Sequence, residues 1–253
     1  MTAPSSTEYD LWIRRFHQAP DSKVRLLCLP HAGGSASFYH PVSAALSPGI
    51  EVLAVQYPGR QDRRSEPSVD SIGELADLVH RMVRPLDDRP LAIFGHSMGA
   101  VLGFELARRL EADGQPPAVL FASGRRGPGT YREEFVHRRD DDGVVAELKT
   151  LSGTNTALLG DEEILRMILP AIRNDYRAIE TYRREPGGPL SIPIVTLIGD
   201  DDPKSTVDEA RAWSDETTGD FSIRVFPGGH FYLAAHQKAV LAEITERLTT
   251  YVG

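Results

Sequence analysis

Gly95-His96-Ser97-Met98-Gly99 is a G-x-S-x-G pentapeptide directly behind the apolar run Leu91-Ala92-Ile93-Phe94 and in front of a helical pattern. Strand, sharp turn and helix is the setting in which a serine is lifted out of a sheet as a nucleophile. A serine hydroxyl needs a base, and the base needs an orienting acid. Both follow in order. Gly199-Asp200-Asp201-Asp202-Pro203 comes after one apolar run, and Pro227-Gly228-Gly229-His230-Phe231 after the next. His230 is the candidate base. Spacing alone does not choose among the three aspartates. Acyl transfer passes through an oxyanion, which backbone N–H groups stabilise. The amide of Met98, directly after Ser97, is one expected donor. Ala32, in Pro30-His31-Ala32-Gly33-Gly34, is the other. His96, inside the turn, is not needed as a base and reads as structural.

These residues need a scaffold that brings strand ends together. Short apolar runs alternate with helical patterns, which predicts βαβ units around a parallel sheet. The predicted strands are Val24–Leu29, Glu51–Gln56, Leu91–Phe94, Ala118–Ser123, Ile194–Ile198 and Ser222–Phe226. Their unbroken apolar character suits strands covered on both faces. Helices are predicted over Ser71–Val83, Ala100–Asp113, Val207–Thr217 and Lys238–Tyr251, the first capped by Asp70 or Ser71 with Glu74 a turn later. No strand is predicted between Ser123 and Ile194. There Asp161-Glu162-Glu163 opens a helical pattern through Ile164, Ile168, Ile172, Tyr176 and Ile179, with Pro170 as a kink. The expected organisation is one domain over residues 1–253, with residues 125–192 inserted as a helical lid.

Composition narrows the class. A chain of 253 residues, 41% hydrophobic and 25% charged, suits one α/β domain. A net charge of −8 argues against nucleic-acid binding. The single cysteine, Cys28, lies inside an apolar strand pattern and is expected to be a buried thiol. The eight histidines form no H-E-x-x-H pair, so no metal site is expected. No glycine fingerprint for a nucleotide appears, and no cofactor is expected. The polar N-terminus lacks a signal-peptide core, and no apolar run is long enough to span a bilayer. A cytoplasmic monomer is the expectation.

With these segments in hand, the chain resembles the type II thioesterases, stand-alone editing enzymes of polyketide and nonribosomal peptide assembly lines, within the α/β-hydrolase superfamily. The matching segments run from about Leu11 to Leu248. They are Pro30-His31-Ala32-Gly33-Gly34, Gln56-Tyr57-Pro58-Gly59-Arg60, Phe94 to Ala100, Gly199 to Pro203, Glu209-Ala210 and Gly228-Gly229-His230-Phe231. The resemblance implies an α/β-hydrolase fold with a mobile lid. It implies Asp202 as the acid, from a G-x-x-D-P pattern, with Asp200 as the fallback. Ser205, where the family is often apolar, is a local departure. The implied reaction is hydrolysis of stalled acyl groups from the phosphopantetheine thiol of carrier proteins, so the substrate brings its own phosphopantetheine and the partners are acyl or peptidyl carrier domains.

Arg60, Arg63 and Arg64 follow the second predicted strand, and Arg125 and Arg126 the fourth. Placed at the active-site edge, Arg60, Arg125 and Arg126 are expected to meet the carrier or its phosphate. Three other readings use the same residues: a medium-chain fatty acyl thioesterase or general carboxylesterase, a macrocyclising release domain, and an inactive scaffold that binds carriers.

Overall fold

A computed structural model describes residues 5–152 and 162–252. Its strands are β1 (Ile13–Arg14), β2 (Arg25–Leu29), β3 (Glu51–Val55), β4 (Leu91–His96), β5 (Leu120–Ser123), β6 (Ile194–Gly199) and β7 (Phe221–Phe226). They form one sheet in the order β1-β3-β2-β4-β5-β6-β7. All neighbours are parallel except β1, which runs antiparallel to β3. The predicted strands all form, within two residues at each end. The two-residue edge strand β1 has no sequence signal, being too short to show a period.

The helices are α1 (Ser6–Trp12), α2 (His40–Leu46), α3 (Ile72–Val83), α4 (Met98–Ala112), α5 (Asp141–Ser152), α6 (Glu162–Thr181), α7 (Val207–Arg211), α8 (Tyr232–Ala235) and α9 (Gln237–Val252). Ser71, not Asp70, caps α3, accepting from the Glu74 N–H. The helix predicted over Val207–Thr217 is corrected. Only Val207–Arg211 is α-helical, behind a Thr206/Glu209 capping box, and Ala212–Glu216 tightens to a 3-10 turn. That turn carries Trp213, whose fully buried indole N–H donates to the Arg125 carbonyl at 2.9 Å. Helix α6 runs on through Pro170. Asp161 lies outside the described residues.

Alternation along β2 divides the core. Leu27 and Leu29 face a cluster under α3 and α4, while Leu26 and Cys28 face one under α2 and α9. Cys28 is buried, and burial pushes its thiol well up, so it is an inert core group. A third, separate cluster of Val136, Val144, Leu169, Ile172 and Tyr176 holds the excursion between β5 and β6 together. Among the described residues no helix is long and apolar enough to cross a membrane.

The chain leaves β2 for β3 on one side and returns to β4 on the other. That reversal opens a crevice outside the carboxyl ends of β2 and β4, where α/β sheets place their ligands. The loop at Pro30–Gly34 and the Ser97 turn are the two lips of this crevice.

Candidate active site

Ser97 joins β4 to α4 with φ 56° and ψ −115°, a strained conformation for a residue with a side chain. The glycines of the pentapeptide make the turn possible. A Cβ on Gly95 would lie 2.0 Å from the Gly99 carbonyl oxygen, and one on Gly99 would lie 2.1 Å from that of Leu29. Strand β4, helix α4 and strand β2 therefore meet backbone to backbone. The Ser97 N–H donates to the Ser123 carbonyl at 2.8 Å, which ties the turn to the end of β5.

His230, 2% exposed, follows β7 and points its Nδ1 at both oxygens of Asp202, at 3.0 and 2.9 Å. Asp202 Oδ1 also accepts from the Lys204 N–H at 2.8 Å. The three aspartates thus separate by partner. Asp202 is buried and faces the histidine. Asp200 accepts from the Gly228 N–H at 2.8 Å and braces the histidine loop, while Asp201 is exposed. A carboxylate only accepts, so the Nδ1 proton belongs to this contact and Nε2 carries the ring's lone pair. Ser97 and His230 line one cavity of about 160 Å³, together with His31, Ala32, Gly33 and Phe231.

Met98 is the first residue of α4, and the N–H groups of a first helical turn lack intrahelical partners. In the facing loop, the Gly34 N–H donates to the His31 carbonyl and the Gly33 N–H to Asp175 Oδ2 at 2.7 Å. Ala32 stands between His31 and Gly33 and lines the cavity. The structure brings Ala32, Ser97 and His230 to one cavity, and next to it stands Asp175, which the sequence pattern did not single out. This residue is 1% exposed on α6 and also receives Arg60 in a two-point pair, at 2.6 and 2.8 Å. Arg60 further donates to the Gly34 carbonyl at 3.0 Å. One ion pair thereby fixes the loop of Ala32 to α6. The signal was present: Asp175 falls on the stripe of Ile168, Ile172 and Ile179, where an acid must be paired.

The structure places the three candidate arginines inside the protein. Arg60, Arg125 and Arg126 are 7%, 6% and 4% exposed, so none offers a cation at the outer surface. Arg60 is spent on Asp175. Arg126 donates to the Lys204 carbonyl at 2.9 Å and pairs with Glu134 at 2.5 Å. Arg125 lines the cavity of Ser97. Arg63, also buried, holds Glu66 and the Gln56 carbonyl, and of this group only Arg64 is exposed.

His31 and His96 pack around His230, with ring centres 5.9 Å apart from each other and His96 5.0 Å from His230. Burial, then the neighbouring His230 and His31, hold His96 well below the usual histidine range. Burial, then His230 and Arg60, hold His31 down at about 3. Both rings stay neutral at physiological pH and do not oppose a positive charge on His230. A folded ring that refuses a proton accepted by the unfolded chain makes stability fall with pH. The loss begins below the unfolded histidine value of about 6.5 and continues toward the folded one. The slope approaches roughly a kcal/mol per pH unit for each ring. Thermal unfolding is accordingly expected at a distinctly lower temperature at pH 5 than at pH 7.5. A flat profile between those values would contradict the neutral cluster.

A mostly parallel sheet with a strained serine turn at its switch point, and a histidine held by an acid at the neighbouring strand ends, defines an α/β-hydrolase. The comparisons narrow the class, and the chain belongs to the thioesterase domain family, whose model matches residues 24–248. It is 60% identical over 237 residues to a probable cadicidin biosynthesis thioesterase of Streptomyces griseus, covering 94% of this chain and 66% of that protein. The chain thus spans about two thirds of that relative's length. It is 47% identical over 252 residues to the thioesterase PikA5 of Streptomyces venezuelae, covering 99% of this chain and 90% of that one. The solved structure of the type II thioesterase BorB from the borrelidin biosynthetic cluster matches with a TM-score of 0.90. That match is at 53% identity and covers 94% of this chain and 98% of that one.

Proposed function

We propose that the protein is a type II thioesterase that hydrolyses acyl groups from the phosphopantetheine thiol of carrier domains in polyketide or nonribosomal peptide assembly, clearing stalled chains. The observation that carries the reading is His230 Nδ1 held between both Asp202 oxygens, with Ser97 and His230 lining one cavity. His230 Nε2 takes the Ser97 hydroxyl proton as Oγ attacks the thioester carbonyl. The negative charge on the carbonyl oxygen is received by the Met98 and Ala32 amides. Collapse breaks the C–S bond, and the sulfur leaves with the proton from His230. Water, deprotonated by the same ring, then attacks the acyl-serine carbonyl, and the proton returns to Ser97 as the acid departs. A thiolate leaves more readily than an amine, so less is asked of the acid step and more of the oxyanion donors.

Residues 125–192 serve as the lid: among the described ones, Val136, Val144, Leu169, Ile172 and Tyr176 form a small core apart from the two sheet clusters, Ala178, Ile179, Leu190 and Ile192 pack into the cluster under α3 and α4, and α6 supplies Ile168, Ile172 and Tyr176 to the cavity wall. The cavity volume is close to that of an engineered cavity of about 150 Å³ that holds benzene, which fits acyl groups of a few carbons. The test is intact-mass release of a propionyl and a decanoyl group from a holo carrier and from coenzyme A. Faster release of propionyl, and faster release from the carrier, is the expected pattern. Equal or faster turnover of coenzyme A thioesters or simple esters would instead identify a general acyl hydrolase.

A further inference from the structure

The buried tyrosines Tyr39, Tyr57 and Tyr232 all spend their hydroxyls inside the fold. Tyr39 donates to the Leu29 carbonyl at 2.8 Å, Tyr57 to the Pro30 carbonyl at 3.1 Å, and Tyr232 shares a hydrogen bond of 2.7 Å with Ser123 Oγ. Tyr176 differs. It is 5% exposed and lines the cavity of Ser97, yet among the described residues its hydroxyl makes no hydrogen bond. Its ring packs with Val136, Val144, Leu169 and Ile172, so the hydroxyl is held in place. Burial, then Glu147, Glu180 and Glu134, push the phenol well up, and it keeps its proton at neutral pH.

Resting on the thioesterase reading above, we propose that the Tyr176 hydroxyl donates to the carbonyl of the amide nearest the sulfur in the pantetheine arm, and so makes the enzyme select thioesters whose thiol carries that amide. Burying a hydroxyl without a partner is costly, and a ligand that supplies the partner recovers that cost. A site so built rejects the analogue that lacks the polar group. The charged neighbours are already balanced: Glu134, Asp202 and Glu180 bear on Arg125, and Glu134 also holds Arg126 and Lys204. The wall therefore offers a hydrogen bond to a neutral group rather than a net charge.

Position favours the arm over the acyl chain. Leu148, Leu151, Ile168 and Ile172 give the cavity an apolar side, which suits an acyl chain. The groups whose charge bears on the Tyr176 hydroxyl, Glu147, Glu180, Glu134 and Arg125, mark a polar side. Surface hollows share residues with that side: one lined by Tyr131 and Arg183 through Arg125 and Glu180, another lined by Phe135 and Arg138 through Glu134 and Lys204. The arm reaches Ser97 from the surface, so its first amide, two methylenes from the sulfur, is the part that passes Tyr176.

The test pairs S-propionyl-N-acetylcysteamine, which carries the amide, with S-pentyl thiopropionate, in which methylenes replace it. The readout is the ratio of kcat/KM between the two handles for the wild type and Tyr176→Phe. The proposal expects the ratio to fall about fivefold, the scale of one neutral hydrogen bond. An unchanged ratio overturns it. A parallel comparison of acetoacetyl with butyryl on N-acetylcysteamine checks the other end, and a loss in Tyr176→Phe that follows the acyl oxygen instead of the handle overturns the assignment to the arm. Melting curves of wild type and variant should coincide, because no hydrogen bond is lost. A marked drop would show that the hydroxyl is used within the fold and overturn the proposal. A second measurement does not depend on turnover. By NMR titration, Ser97→Ala should bind S-propionyl-N-acetylcysteamine about fivefold more tightly than the double variant Ser97→Ala/Tyr176→Phe does, and equal affinities overturn the proposal. If the wild type hydrolyses none of these thioesters, the functional reading fails, while the binding arm still decides the role of Tyr176.

Discussion

Replacing Ser97 by alanine is expected to reduce thioester hydrolysis by at least about 10⁴-fold, the scale on which catalytic serine units fail when one member is removed. The fold should be untouched. The turn is held by the Ser97 N–H on the Ser123 carbonyl and the Ser97 carbonyl on the Ala100 N–H, both kept in the variant. Stability should remain within roughly 0.5 kcal/mol of the wild type, as for substitutions that disturb no packing or network. His230→Ala should lose nearly as much activity, because hydroxyl and imidazole act as one unit, and the double variant should be little worse than either. Kinetics on a short-chain thioester, with melting curves for each variant, would check this. A Ser97→Ala protein that keeps a tenth of the activity would remove the serine from the mechanism.

The second large effect concerns Asp175. Removing its carboxylate in Asp175→Ala leaves the Arg60 guanidinium, 7% exposed, without its counter-charge and the Gly33 N–H without an acceptor. Breaking a buried pair from one side costs about 3–5 kcal/mol. For a chain of this size that lowers the melting temperature by on the order of 10 °C. The same change frees the loop that carries Ala32, so kcat should fall more than KM rises in whatever protein remains folded. Replacing both partners, Arg60→Met with Asp175→Leu, should recover a large part of the stability, since an apolar pair leaves no buried charge. It should not recover kcat, because the Gly33 N–H still lacks Asp175. Stability that drops no further in the single variant than in the double one would show that the pair is not what ties the loop to α6.

Both predictions show where the sequence was legible. Ser97, Asp202 and His230 stand in loops that follow apolar strands, and the glycines around them betray close backbone approach. Local pattern was therefore enough to place them at one edge of the sheet. The G-x-x-D-P resemblance, rather than spacing, singled out Asp202, and the contact with His230 gives the physical reason. Arg60 and Asp175 are 115 residues apart, and no local period records a pair at that separation. The burial of Arg60 and Arg126 was not legible either, because it depends on partners, Asp175 for Arg60 and Glu134 for Arg126, that come only with the folded chain. The short helices α1 and α2, of seven residues each, span about two turns and leave too little periodicity to read.

The central claim is that Ser97, activated by His230, takes the acyl group from a thioester. The most direct measurement treats the protein with a fluorophosphonate, follows its mass, maps the adduct by peptide digestion and assays propionyl release from a holo carrier on the same sample. The account predicts one adduct per chain on Ser97, carrier hydrolysis lost in proportion to labelling, and no adduct in Ser97→Ala. Full carrier hydrolysis by a protein whose Ser97 is fully labelled would contradict it.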